Sequence, residues 1–345
     1  MINFWKIFNN KPFVFIAEIG LNHNGDYDIA AQMVEKAALA GADAVKFQTF
    51  IPENMNSVYT ASLAKYGIEK EKSNSEADFF KRFLLKKEEY IKLKNQAESL
   101  NMIFFSSPFD VESVDFLENL NVEIYKIASS EVTNHILLNK IAETKKCVIM
   151  STGISAEEDI SLAVDLLIKN GTPDIVLMHC VSLYPLPPES VNLNRIISLR
   201  NRFNLEVGFS DHSKDTKTAE MAAVLGARIF EKHFTLSRDY DCPDKEVSFD
   251  QGEFKKMTEK VKSAGRIIGD GHISSGSDEK EVAKMARRSL YASRFIPEGK
   301  ILDSDDIIPK RPGVGIPVYK YQNVIGKKSN RNIEKDFLLR DEYFN

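Results

Sequence analysis

The sequence predicts an α/β protein in which eight parallel strands close into a TIM (β/α)8 barrel, followed by a small β-rich domain. Eight short apolar runs, each followed by a segment with helical spacing of apolar residues, match the element count of such a barrel. The runs are 13–20, 43–50, 102–109, 123–130, 147–153, 174–180, 205–211 and 228–234. A doubly wound sheet is the alternative, because alternation alone does not say whether the sheet closes. The count of eight favours the barrel.

The segments between these runs have the pattern of amphipathic helices. Segments 26–42, 154–171 and 214–227 carry apolar residues at positions i, i+3, i+4 and i+7. Each has a glycine at or near its end, where a helix C-cap is expected. We therefore predict that helices connect the strands.

The composition changes after about residue 268. We predict a barrel domain at 1–269, a linker rich in Gly, Ser and charged residues at 270–286, and the β-rich domain at 287–345. The last domain has 12 Lys and Arg against 8 Asp and Glu, whereas the rest of the chain has 34 against 42. Net charges of +4 and −8 indicate that the two parts attract each other, within or between subunits.

The amino-acid composition limits the classes of protein to which this chain can belong. The 345 residues are 43% hydrophobic and 28% charged, which is ordinary for a globular protein, and the net charge of −4 argues against a nucleic-acid partner. The amino terminus lacks the apolar core of a signal peptide, and no run is long enough to span a membrane. Cys147 and Cys180 lie in apolar runs and Cys242 lies alone, which suits free thiols in a reducing compartment. We expect a cytoplasmic protein without a membrane partner.

Polar residues gather at the carboxyl ends of the predicted strands, where TIM barrels build active sites. They are Glu18, Lys46, Gln48, Ser106, Ser107, Lys126, Ser129, Glu131, Ser151, Ser182, Tyr184, Ser210, Asp211, His212, Glu231 and His233. Lys46 and Lys126 stand out, because a lysine inside an apolar strand needs an anionic partner. Two lysines among small hydroxyls fit a site for a phosphorylated carboxylate. Salt bridges to Glu18 and Glu131 are an alternative, and a Schiff-base lysine of an aldolase is another.

His212 and His233 end adjacent predicted strands, so their imidazoles are expected to converge. Two histidines with a nearby carboxylate and open positions suit a divalent ion such as Mn²⁺, Fe²⁺, Co²⁺ or Zn²⁺. His179, inside an apolar strand, is instead expected to be a satisfied core residue.

Motifs at these strand ends, taken in order, resemble the sialic acid synthase family. They are AEIGLNHNGD (17–26), KFQTF (46–50), FSSPFD (105–110), YKIASSE (125–131), STG (151–153), GFSDHS (208–213) and EKHFTL (231–236). Residues 289–316 resemble the carboxyl-terminal antifreeze-like (SAF) domain of that family. The family includes N-acetylneuraminate, legionaminate and pseudaminate synthases.

The resemblance implies a role for each matching residue. It implies phosphoenolpyruvate contacts for Lys46, Ser107, Lys126, Ser129, Ser151, Ser182 and Ser210, and metal binding for His212 and His233. It places Glu18, Gln48, Tyr184 and Asp244 on the sugar side. For the acid–base steps of the implied reaction, the candidate carboxylates are Glu18, Glu131 and Asp244. It implies that Arg311 reaches the active site of the partner subunit in a homodimer with swapped SAF domains.

The implied reaction is a metal-dependent condensation of phosphoenolpyruvate with an N-acetylated amino-sugar aldehyde, with Mn²⁺ as the expected ion and Mg²⁺ or Co²⁺ as alternatives. FSSPFD, HFTL and residues 242–244 favour the neuraminate/legionaminate branch over the pseudaminate branch. A deoxyoctulosonate-type synthase is the nearest alternative, which the SAF-like tail disfavours. From another class, a carbohydrate-binding protein would not need the polar strand ends. Segment 52–78 contains no recognisable motif and is a candidate wall of the sugar pocket.

Overall fold

A computed structural model describes residues 8–55 and 76–345 and shows the predicted closed barrel. The eight strands are β1 (Val14–Gly20), β2 (Ala44–Thr49), β3 (Ile103–Pro108), β4 (Ile124–Ile127), β5 (Cys147–Ser151), β6 (Ile175–Cys180), β7 (Glu206–Asp211) and β8 (Ile229–His233). Each pairs in parallel with the next, and β8 pairs with β1, so that no strand edge is left open. The barrel prediction is confirmed and the doubly wound alternative is wrong.

Helices connect the strands, as the apolar spacing predicts. The described helices, of which the last two follow β8, are Tyr27–Leu39, Pro52–Met55, Glu76–Lys81, Lys87–Ser99, Val111–Asn119, His135–Glu143, Glu157–Lys169, Arg195–Phe203, Lys217–Val224, Gln251–Ile268 and Ser277–Ala286. Side-chain caps start several of them: the side chains of Asp26, Asp110 and Asp250 each accept a hydrogen bond from a backbone N–H in the first turn. In the described part of the chain, no helix is long and apolar enough to cross a membrane.

Strand residues alternate between the barrel interior and the layer beneath the helices. Phe15 and Val45 pack outward with the helices, whereas Ile16 and Ala44 belong to an interior cluster. Higher along the same strands the inward positions become polar. The barrel therefore has an apolar floor and a polar mouth.

A glycine completes the floor of the barrel. A Cβ at Gly208 would lie 2.4 Å from Met178 Sδ and 2.6 Å from the Ile229 carbonyl oxygen. Only glycine lets the neighbouring strands approach this closely while Met178 fills the interior.

The chain divides into two compact units, 1–269 and 270–345. In the second unit, strand β9 (Ser289–Ala292) pairs antiparallel with β10 (Ile307–Lys310). Its core includes Leu290, Ile296 and Leu339. Helix Ser277–Ala286 lies within the segment that the sequence predicts as a linker, 270–286. The Gly/Ser-rich stretch that suggested a linker ends at Gly276, directly before this helix.

Candidate active site

A cavity of about 260 Å³ lies at the carboxyl ends of the barrel strands. All eight strands contribute a side chain to its wall, and the loops after them contribute the rest. It is lined by Glu18, Lys46, Gln48, Ser107, Phe109, Lys126, Ala128, Ser129, Ser130, Ser151, Ile154, Cys180, Ser182, Tyr184, Ser210, His212, Glu231 and His233. Since TIM barrels place their chemistry at this face, the cavity is the candidate active site.

Two buried lysines share one carboxylate at the base of the cavity. Lys46 Nζ lies 2.6 Å from Glu18 Oε2 and 3.8 Å from Glu231 Oε1. Lys126 Nζ lies 3.6 Å from the same Glu231 oxygen. All four side chains are buried. The lysines are therefore held by carboxylates on neighbouring strands and on the far side of the barrel.

The two carboxylates differ in their affinity for a proton. Burial alone would raise the pKa of Glu231, but Lys126 and Lys46 overcome this effect and lower it to about 2. Burial raises the pKa of Glu18, although Lys46 opposes the shift and the Glu231 carboxylate adds to it. Glu231 thus stays ionised, and Glu18 is the carboxylate better suited to exchange a proton.

The salt-bridge alternative is correct for Lys46 with Glu18 and wrong for Lys126 with Glu131. Glu131 lies in the single turn Ser129–Glu131 after β4. Its carboxylate accepts hydrogen bonds from Asn134 Nδ2 at 2.8 Å and Ser130 Oγ at 2.9 Å, and it does not line the cavity. The turn directs this side chain to its own loop, so the anionic partner of Lys126 is Glu231.

The sequence places Glu231 among the polar strand ends but predicts no role for it. Its carboxylate accepts a hydrogen bond from Ser210 Oγ at 3.0 Å, while Oε2 is buried without a hydrogen-bond partner. Strand alternation predicts its orientation, because Glu231 is two positions before His233 on β8 and so faces the same side.

Small hydroxyls converge on the lysines around Gly153. Lys126 Nζ donates to Ser151 Oγ at 2.6 Å, and the Gly153 backbone N–H donates to Ser129 Oγ at 3.0 Å. A Cβ at Gly153 would lie 2.4 Å from Ser182 Oγ and 2.7 Å from Ser129 Oγ. The glycine therefore leaves the space in which hydroxyls and a lysine form a cradle for an anion.

The two histidines meet at one edge of the cavity, as their strand positions predict. The ring centroids of His212 and His233 are 5.3 Å apart. His212 Nδ1–H donates to the Val181 carbonyl oxygen at 2.9 Å, and its Nε2 lies 3.0 Å from the Tyr184 hydroxyl, whose ring stacks on the imidazole. His233 Nδ1 lies 3.2 Å from Asp244 Oδ2, without hydrogen-bond geometry.

The site fits a divalent ion on two grounds. The buried His233 Nδ1 has no hydrogen-bond partner, and both imidazoles face one cavity. Within residues 8–55 and 76–345, no group of three or more His, Cys, Asp or Glu side chains is arranged to hold an ion by itself. An ion here would need water or substrate oxygens as additional ligands.

Cys180 is more than the core hydrophobe that its apolar run suggests. It lines the cavity, and its Sγ lies 3.9 Å from His212 Nδ1. It is at the last inward position of β6, where neighbouring strands carry polar residues. Cys147 is buried in the interior cluster as expected. His179 also behaves as expected, with Nε2 at 2.7 Å from the Val191 carbonyl oxygen.

Two parts of the predicted site, Arg311 and segment 52–78, stay predictions. Arg311 is an exposed residue of the second unit. Most of segment 52–78 lies outside the described residues, apart from the helix Pro52–Met55 and residues 76–78.

Comparison with known proteins identifies both units. The NeuB family model matches residues 33–273, and the SAF domain model matches residues 287–344. The chain is 36% identical to N,N'-diacetyllegionaminic acid synthase of Campylobacter jejuni over 96% of this chain and 100% of that protein. It is also 36% identical to a pseudaminic acid synthase of Campylobacter jejuni over 98% of both chains.

A solved structure is similar over most of this chain. The crystal structure of N-acetylneuraminic acid (sialic acid) synthetase from Leptospira borgpetersenii in complex with citrate aligns with a TM-score of 0.70 and 34% identity. The alignment covers 79% of this chain and 90% of that chain. Together with the cavity at the barrel mouth, these matches show that the chain belongs to the NeuB family and carries a SAF domain.

Proposed function

We propose that this protein is a transferase that condenses phosphoenolpyruvate with the aldehyde of an N-acetylated amino sugar, giving a nonulosonic (sialic-type) acid and phosphate. The observation that carries the proposal is the cluster of two buried lysines and convergent hydroxyls in the barrel of a NeuB-family chain. Relatives named as legionaminic and pseudaminic acid synthases support the product class.

Phosphoenolpyruvate fits the base of the cavity. Its phosphate and carboxylate are anionic, and Lys46 and Lys126 supply charge-assisted hydrogen bonds to such groups. Lys126 already donates to Ser151, and Lys46 Nζ lies 3.4 Å from Ser107 Oγ, so the lysines and hydroxyls are oriented before substrate arrives. Glu231 holds both lysines near one point, which limits their reorganisation on binding.

The reaction balances without an oxidant or reductant. The C3 carbon of phosphoenolpyruvate attacks the aldehyde carbon and forms the new C–C bond, and the aldehyde oxygen takes up a proton. Water adds at C2, and the C2–O bond to phosphate then breaks. The lysines stabilise the charge that the departing phosphate carries. We propose Glu18, whose pKa is raised, as the carboxylate that moves protons between water and the aldehyde oxygen, with Asp244 beside His233 as the alternative.

His212 and His233 would hold a divalent cation, with Mn²⁺ proposed and Mg²⁺ or Co²⁺ as alternatives. When bound, such an ion polarises the carbonyl of the sugar as a Lewis acid. Asp244 Oδ2 lies 3.2 Å from His233 Nδ1 and adds negative charge beside it, and the Val181 carbonyl oxygen fixes the tautomer of His212.

The sugar is proposed to lie above these groups, against Gln48 and Tyr184. Gln48 Nε2 donates to Glu18 Oε1 at 3.2 Å, which leaves its amide oxygen available to a hydroxyl or amide of the sugar. N-acetylmannosamine and a 2,4-diacetamido-2,4,6-trideoxyhexose are the proposed substrates.

The test of this proposal is phosphate release from phosphoenolpyruvate and Mn²⁺ with three aldehydes supplied separately. These are N-acetylmannosamine, 2,4-diacetamido-2,4,6-trideoxymannose and its altrose isomer. We expect release with one of the first two, accompanied by a nine-carbon acid detected by mass spectrometry. Arabinose 5-phosphate is supplied as a fourth aldehyde. Phosphate release with it, and with none of the other three, would favour a deoxyoctulosonate-type enzyme instead.

We further propose a homodimer in which Arg311 of the SAF domain contributes to the sugar site of the partner subunit. The support is the match of residues 287–344 to the SAF model and the exposure of Arg311. Mixing inactive Arg311→Ala and His212→Ala proteins under subunit exchange should then rebuild intact sites and restore activity toward about a quarter of wild type. Proven exchange without recovery would contradict the swapped arrangement.

A further inference from the structure

A buried ion pair lies directly behind the two histidines. Asp211 and Lys232 are paired in register across β7 and β8, and each immediately precedes one histidine, His212 or His233. Because strand side chains alternate, this pair faces away from the cavity while the histidines face into it. Both side chains are almost completely buried, with relative exposures of 2% and 0%.

Lys232 connects the chain on both sides of His212. Its Nζ lies 3.3 Å from Asp211 Oδ2 and also donates to the Ser213 carbonyl oxygen. Asp211 in turn accepts from the Ser213 backbone N–H at 2.8 Å and from Thr218 Oγ1 at 3.0 Å. The residues before and after His212 thus both contact the ammonium group of Lys232 on the neighbouring strand.

The same ammonium group is linked to the backbone of His233. Lys232 Nζ lies 4.3 Å from the ring centroid of Phe249, in a cation–π contact. The Phe249 backbone N–H donates to the His233 carbonyl oxygen at 2.8 Å. One buried side chain therefore restrains the backbone at both histidines.

A contribution to folding stability does not by itself explain why a buried ion pair occupies this position. Buried ion pairs lose much of their attraction to desolvation, and apolar replacement of both partners is often neutral or stabilising. A charged pair does have directional contacts that an apolar pair lacks, and here those contacts end at the two histidines.

We propose that Lys232 and Asp211 are positioning residues that fix the separation and orientation of the His212 and His233 imidazoles, and so set the affinity of the site for a divalent cation. The cation part rests on the proposed function, whereas the arrangement of the imidazoles does not.

The decisive variant is the apolar double replacement Asp211→Leu/Lys232→Met, which leaves no unpaired charge. In metal-free protein, imidazole ¹⁵N–¹H correlation spectra should show changed resonances for His212 and His233 while His179 is unchanged. Titration with Co²⁺, followed by its absorption spectrum, should show affinity lower by about 10- to 100-fold, the usual effect of losing groups that orient metal ligands. Thermal stability should stay close to that of the wild type.

Thr218→Val is a milder second variant, because it removes one hydrogen bond to Asp211 and buries no charge. It should shift the same resonances by a smaller amount. Asp43→Asn is the matched control, since Asp43 is a buried carboxylate paired with Lys11 at the amino-terminal end of β2. It should leave both readouts unchanged.

Unchanged imidazole spectra in the double variant and in Thr218→Val would overturn the proposal. So would a double variant that loses stability while its Co²⁺ affinity stays at the wild-type value. If wild-type protein binds no Co²⁺, the metal part of the proposed function fails, and the metal-free spectra still decide whether the pair positions the histidines.

Discussion

Replacing Lys126 by methionine is expected to raise the KM for phosphoenolpyruvate roughly 10- to 100-fold. The loss of one hydrogen bond from a charged group costs about 1.5–3 kcal/mol, and about 1.4 kcal/mol corresponds to a factor of ten. Turnover should fall as well, since Lys126 also stabilises the departing phosphate. Steady-state kinetics with phosphoenolpyruvate as the varied substrate measure both effects.

Two further variants separate binding from folding. Lys126→Met leaves the buried Glu231 carboxylate with Lys46 as its remaining lysine partner, so thermal stability should also fall. The double variant Lys126→Met/Glu231→Gln removes that charge. It should recover much of the stability, while its KM for phosphoenolpyruvate stays high. Lys146→Met is the surface control, because Lys146 pairs with Glu118 at the opposite end of the barrel. An unchanged KM together with a lower melting temperature would mean that Lys126 serves only the ion pair.

Removing either histidine is expected to have a still larger effect. His212→Ala or His233→Ala should lower kcat/KM on the order of 10³-fold, since metal polarisation of a carbonyl supplies several kcal/mol. Excess chelator should do the same to wild-type protein, and Mn²⁺ or Co²⁺ should restore it. Metal content and calorimetric titration with Mn²⁺ should show lost binding in both variants.

His179→Gln provides a buried control, because glutamine can keep the hydrogen bond to the Val191 carbonyl oxygen. It should retain metal affinity and activity. Full activity of either alanine variant, or of chelated wild-type protein, would contradict a metal role for the pair.

Much of the site follows from strand periodicity. Because side chains alternate, strand position alone assigns residues such as Lys46, Ser107 and His233 to one face of a closed barrel. The ordered motifs at the strand ends indicate the family. Both arguments depend only on local sequence.

The contacts that the sequence does not predict depend on distances across the barrel or on the path of a turn. The partner of Lys126 is Glu231, four strands away, and nothing local favours it over Glu131, which is five residues along the chain. A turn directs Glu131 to Asn134. Cys180 lies in an apolar run that is typical of a core strand, and only its position at the end of that strand brings it to the cavity. The Lys232–Asp211 pair is likewise visible only once β7 and β8 are in register.

The most direct measurement follows the bridging oxygen of phosphoenolpyruvate. The proposed reaction breaks the bond between C2 and that oxygen, so ¹⁸O placed there should leave in inorganic phosphate, while the nine-carbon acid takes its new oxygen from water. Mass spectrometry of both products after one incubation with Mn²⁺ and N-acetylmannosamine, or with 2,4-diacetamido-2,4,6-trideoxymannose, gives the answer. Label retained in the sugar acid, or phosphate release without a nine-carbon product, would contradict the account.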